Sequence, residues 1–102
     1  MVRIDIVDWV QLCNVFSQFF SGLGLVASSD EDIRFSAFPE DIDTEFCIKK
    51  NGQCIASMPL HGIQGAIEKV EFDFEQNSIC VTGHQLRYVY RVPSTIIGNR
   101  LH

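Results

Sequence analysis

A chain of 102 residues, 46% hydrophobic and 21% charged, has room for one domain and enough apolar side chain to give it a core, which excludes a disordered acidic tail. Its formal net charge of −5 disfavours nucleic acid and an anionic membrane as partners, because affinity for either comes from neutralising negative charge. Eight phenylalanines, two tyrosines and one tryptophan point to a dense aromatic interior.

Met1 to Asp8 places Asp5 and Asp8 inside what would be the apolar stretch of a signal peptide, so no targeting segment is expected. The apolar runs also fall short of the roughly 20 residues a membrane helix needs. Cys13, Cys47, Cys54 and Cys80 form no Cys-x-x-Cys pair, and free thiols in a cytoplasmic compartment are the expectation. Trp9, Leu12, Cys13, Phe16, Phe19 and Phe20 recur at helical spacing, with Asp8, Gln11, Asn14, Gln18 and Ser21 mostly between them. This predicts a helix over residues 6–21, with Asp5 as N-cap, Asp8 three residues on, and Gly22 and Gly24 as the stop.

Beyond the helix the period falls to two. Residues 23–27 and 33–38 read as strands around the turn Ser28-Ser29-Asp30-Glu31-Asp32, the second ended by Pro39. Residues 44–50 and 53–58 flank Asn51-Gly52, read as the two-residue type I′ turn of a hairpin. Residues 59–67, with Gly62 and Gly65, read as a loop or weak helical turn. Val70, Phe72 and Phe74 alternate with Glu71, Asp73 and Glu75 in a half-buried strand. Residues 78–82 and 86–92 give the last two strands, and the tail from Ser94 is ambiguous. The predicted fold is α+β: an N-terminal amphipathic helix packed on one face of a mostly antiparallel sheet of about five to seven strands, in one domain over 1–102. Phe46, Ile48, Ile55, Val70, Phe72, Phe74, Tyr88 and Tyr90 should face the helix.

Candidate chemistry is sparse. With a two-residue loop at Asn51-Gly52, Cys47 and Cys54 share a sheet face only as diagonal neighbours, roughly 7–8 Å apart, too far for a disulfide. His61, His84 and His102 lack metal-ligand spacing, and no metal, cofactor or catalytic residue is expected. Cys80 could approach His84, but no group that would orient such a pair is recognisable. Asp30, Glu31, Asp32, Glu40, Asp41, Asp43 and Glu45 concentrate acid, yet a calcium loop counted from Asp30 meets Arg34 at its fifth position and lacks the bidentate glutamate. These residues read as solvated loops or a patch for a partner with a basic surface. His61-Gly62-Ile63-Gln64-Gly65 lacks the elements of a phosphate loop and reads as turn.

The second face of the predicted sheet is the stronger candidate. Cys47, Cys54, Ala56, Cys80, Thr82 and Val89, edged by Arg87, Arg91 and the acids of residues 71–75, are small and uncharged where a solvated face would carry more charge. They suit a stacked surface, either a second copy of the chain or its own tail with Ile96 and Ile97, or the His61 loop. The expected function is therefore a non-enzymatic protein–protein interaction or assembly module, homodimeric through the sheet. The first alternative is a small-ligand binder or modest enzyme with a pocket near Trp9, His61, His84 and Tyr88.

The order of a helix, a strand, the turn Ser28-Ser29-Asp30-Glu31-Asp32 running into Ile33-Arg34-Phe35-Ser36-Ala37, and further strands loosely resembles the layout of one repeat domain of the DNA sliding clamps. That resemblance implies the second alternative, a clamp-like nucleic-acid accessory protein. The chain departs from it at the helix, which carries none of the lysines and arginines of clamp helices that line DNA, and the resemblance lends no residue to a site.

Overall fold

The computed structural model describes residues 2–39, 44–57, 60–63, 66–84 and 86–98, with residues 56, 57 and 60–63 described by their backbone. The chain opens on a strand. Val2-Arg3-Ile4-Asp5 alternates so that only Ile4 is buried, and these residues form β1 (Val2–Asp5). The helix α1 follows at Trp9–Phe19, shorter than the predicted 6–21. Asp5 is no cap: its carbonyl accepts the Asp8 N–H at 3.0 Å in the turn between strand and helix, and Asp8 is the N-cap residue, without a side-chain cap bond. Strand pairing, which capping chemistry cannot foresee, claimed the residues in front of the helix.

Eight strands and a short helix follow: β2 (Gly24–Ser28), β3 (Asp32–Ala37), β4 (Glu45–Lys49), β5 (Cys54–Ser57), β6 (Leu60–Ile63), β7 (Ile67–Asp73), β8 (Ser78–Gly83), β9 (Leu86–Arg91) and α2 (Ser94–Ile97). The α+β class and the antiparallel pairing agree with the sequence. The single sheet does not. The strands form two antiparallel sheets, of five in the order β2-β3-β4-β5-β6 and of four in the order β1-β7-β8-β9. Two of these, β1 and β6, fall where no strand was read. β6 pairs with β5 in the segment expected as loop or helical turn. The chain leaves one sheet after β6 and starts the other at β7, where β1 is its second neighbour.

The helix stripe seals both sheets at once. Trp9, Leu12, Val15, Phe16 and Phe19 are buried on α1, with Phe20 beyond it. The Phe16 ring lies 6.2 Å from Phe46 of the five-stranded sheet and 6.5 Å from Phe72 of the four-stranded one. Phe20 stacks on Phe35 at 4.0 Å, and Phe46 stacks on Tyr90 at 4.8 Å. Beside that stack the buried Thr44 hydroxyl and the Tyr90 hydroxyl share a 2.9 Å hydrogen bond. Each fully buried large side chain is worth about 1.5–3 kcal/mol, and this aromatic seam joins the two sheets through one core. Ile96 of α2 is also fully buried in the same cluster and Ile97 packs against it, so α2 packs into the core and not onto an outer face.

The β4–β5 hairpin turns where Asn51-Gly52 predicts, by a different route. The Gly52 N–H donates to Lys49 O at 2.9 Å and the Lys49 N–H to Gln53 O at 2.8 Å, a three-residue loop with Gly52 at φ 97. The extra residue moves the register by one, to Cys47 opposite Ile55 and Ile48 opposite Cys54. A one-residue slip exchanges the faces of a strand. Cys54 therefore points into the core and Ile55 outward at 45% exposure, reversing the expectation for both. Gly52 also fastens the sheets together: its carbonyl accepts the Ile67 N–H at 2.8 Å, and a Cβ on it would lie 2.9 Å from that of Ala66.

Candidate association surface

The thiol-and-alanine face expected from the sequence is divided by the fold. Cys80, Thr82, Arg87, Val89 and Arg91 do share the outer side of the four-stranded sheet, with Cys80 opposite Val89 and Thr82 opposite Arg87. Cys47 lies on the outer side of the other sheet, Cys54 is in the core, and Ala56 is in register with Phe46, its side chain outside the described set. Whether the residues lie on one face was decided by the two-sheet topology and the hairpin loop, neither of which is a local property.

The outer side of the four-stranded sheet is a lattice of charges around small residues. Glu71 and Asp73 on β7 face Arg87 and Arg91 on β9 across Ser78, Cys80 and Thr82 of β8, and a shallow depression of about 250 Å³ runs between them. On β1, the exposed Arg3 donates from Nη2 at 2.8 Å and from Nε at 3.0 Å to the same Glu71 Oε1. Alternating charges of this kind are well satisfied by water.

The outer side of the five-stranded sheet is different. One row across it reads Ala27, Arg34, Cys47 and Ile55, and the next reads Leu25, Ser36 and Glu45. Leu25 is 57% exposed and Ile55 45%. Cys47 is buried although it points outward, and Arg34 is its cross-strand neighbour. Burial pushes the Cys47 thiol upward, with Arg34 pulling the other way, and burial pushes Cys54 up to about 12. Thiols held protonated are weak nucleophiles and poor ligands. All four cysteines are free, and Cys47 and Cys54, on opposite faces, are not a pair.

Three residues of the suggested pocket, Trp9, His84 and Tyr88, have described side chains. Trp9 is buried and donates its indole N–H to Ser29 O at 3.1 Å. Tyr88 is half-buried on β9, pushed upward first by burial and then by nearby Cys54. His84 is exposed in the turn after β8, and the His61 side chain lies outside the described set. Trp9, His84 and Tyr88 line none of the depressions described at Glu31–Asn51, at Glu71–Arg91 and at Ala27–Arg34. Cys80 is held away from His84 by extended backbone, roughly 10 Å of it. Of the acidic residues, Asp30, Glu31 and Asp32 form a turn in which the Ser29 hydroxyl accepts the N–H of Glu31 and Asp32 and donates to Asp32 Oδ1; residues 40–43 lie outside the described set. Among the described residues no three His, Cys, Asp or Glu side chains gather as metal ligands.

Sequence reasoning missed Leu25 and Ile55 as exposed apolar residues, and Arg3 as part of a sheet. Alternation in Val2-Arg3-Ile4-Asp5 carried a signal for β1; the hairpin loop length that exposes Ile55 carried none. The outward side of α1 presents Val10, Gln11, Asn14, Ser17 and Gln18, with no cation for a phosphate backbone. No described helix is long and apolar enough to cross a membrane. Comparison with protein-family models, curated proteins and solved structures gave no match, so the geometry alone bears on function.

Proposed function

We propose that this chain is a non-enzymatic assembly module that associates with a second copy of itself through its five-stranded sheet. The observation that carries the proposal is the pair of outer sides. One is a lattice of opposed charges; the other leaves Leu25 and Ala27 exposed on β2 and Ile55 exposed on β5, with Arg34 and Cys47 in the row between Ala27 and Ile55 and with Asp32, Glu45 and Lys49 in the neighbouring rows. Exposed apolar residues set among charges of both signs are found in protein interfaces. The net charge of −5 and the raised thiols also favour a role other than nucleic-acid binding or thiol catalysis.

Sedimentation velocity over a low-to-high micromolar series tests it. The wild-type chain should show a concentration-dependent dimer. The double variant Leu25→Asp with Ile55→Asp should stay monomeric with an unchanged circular dichroism spectrum, since both sites are exposed. A wild-type monomer throughout the series would refute the proposal.

A further inference from the structure

Among the described residues, β2 forms an edge of the five-stranded sheet with no strand paired on its outer side. β2 is hydrogen-bonded to β3 on one side, and the phase of that ladder can be read from its end: the Ser29 N–H donates to Asp32 O at 2.8 Å. In an antiparallel pair the bonded residues alternate, so Leu25, Ala27 and Ser29 bond to β3. The other side of β3 agrees, because the Ala37 N–H donates to Thr44 O at 3.0 Å and so assigns the odd-numbered residues of β3 to β4. Gly24, Val26 and Ser28 therefore aim their backbone N–H and C=O groups away from the sheet. Natural edges are usually blunted by charge, proline or cover, because an open ladder recruits another strand. The edges of the other sheet follow that rule, with Arg3 and Asp5 on β1 and Arg87 and Arg91 on β9. β2, with the sequence Gly-Leu-Val-Ala-Ser, has no charge and no proline.

The geometry points to two-fold antiparallel pairing of β2 with β2 of a second copy, centred on Val26, which joins two five-stranded sheets edge to edge. This rests on the self-association proposed above and narrows it to the β2 edge of that sheet, which covers Leu25 and leaves Ile55, three strands away, outside the contact. With Val26 opposite Val26, Gly24 falls opposite Ser28, and each outward backbone group meets a partner. Leu25 then falls opposite Ala27 of the second copy in a non-hydrogen-bonded pair, the arrangement that brings side chains closest. A large residue meets a small one, twice, on the outer side. A depression of about 220 Å³ lined by Ala27, Ser28, Ser29, Asp32 and Arg34 opens where that leucine arrives. The rows match in charge as well: the row of Ala27 and Arg34 continues into the second copy's row of Leu25, Ser36 and Glu45, so basic and acidic rows align. Sliding the register by two would set leucine on leucine and forfeit bonded pairs.

A mixed disulfide reads this register directly. Leu25→Cys protein mixed with Ala27→Cys protein and mildly oxidised should give a cross-linked dimer whose linkage maps to positions 25 and 27, because facing Cα atoms lie about 4.5 Å apart, within disulfide range. Either variant alone should cross-link far less, since its two new thiols sit on a diagonal of roughly 7–8 Å. Ala27→Lys, at an exposed site, should weaken dimerisation about tenfold or more while leaving the circular dichroism spectrum and melting temperature unchanged. A wild-type dimer that gives no 25–27 linkage, or links through Cys13 or Cys80, overturns the edge pairing while leaving self-association standing. A wild-type monomer overturns both.

Discussion

The two sheets share one core and differ on their outer sides. Facing inward, both present large apolar residues to the same helix: Ile33, Phe35, Phe46 and Ile48 from one, Val70, Phe72, Ile79 and Val81 from the other, all fully buried. Facing outward, the four-stranded sheet opposes Glu71 and Asp73 to Arg87 and Arg91, whereas the five-stranded sheet exposes Leu25 and Ile55. Their edges differ in the same sense, charged at β1 and β9 and uncharged at β2. A common interior thus constrains only one side of each strand. The outer residues are free to diverge, and here one outer side opposes acids to arginines while the other leaves two large apolar residues exposed.

The comparison can be broken at its shared half first. Phe20 touches Phe35 and Phe46 of one sheet and Tyr90 of the other. Phe20→Ala should cost about 3–5 kcal/mol in urea denaturation and lower the stability of both sheets in one cooperative transition. Two separate transitions would show that the sheets do not depend on a common core.

Alkaline titration sharpens the contrast through Cys54, the thiol that only the five-stranded sheet buries in the core. Its folded value, pushed up to about 12 by burial, stands above the ordinary value of 9.0. The neutral thiol is favoured in the folded state, so its contribution is complete below pH 9 and is lost as pH rises toward 12, by up to about 1.4 kcal/mol per pH unit. Tyr90, raised mainly by burial from 10.0, adds to the loss from its own ordinary value upward. Urea midpoints measured across this range should fall for the wild type and fall less steeply for Cys54→Ala; parallel declines would show that Cys54 is not the titrating group.

Tyr90→Phe examines the seam between the sheets. It leaves the Thr44 hydroxyl, fully buried, without its partner, and should cost about 1–3 kcal/mol by thermal or chemical melting. A neutral result would mean that water reaches Thr44. The smallest effect belongs to the charged outer side. Arg3→Ala removes an exposed ion pair to Glu71 and should change stability by less than about 1 kcal/mol, shrinking further in high salt.

Particular residues show how far local pattern carries. Phe72 and Phe74 were assigned to the helix side by strict alternation, and their rings lie 5.6 and 5.4 Å from Phe19. Ile55 was assigned to the same side by counting back from Asn51-Gly52, and it points to water because the loop has three residues where two were counted. The first inference used the geometry of one strand; the second required the turn to be of one type among several that the same dipeptide allows. The association surface suffered from both kinds of non-local fact, since Cys54 left it through the register and Cys80 left it through the division into two sheets.

By itself the sequence determined which segments are helix and strand over most of the chain, the antiparallel habit, and the aromatic stripe that closes the core, because these follow from periods of 3.6 and two within a few residues. Only the tertiary structure decided that the strands divide into two sheets, that β1 pairs with the distant β7, which cysteine enters the core, and which strands form the edges. Those outcomes depend on partners distant in sequence and on a single residue of register, and side-chain periodicity holds no record of either.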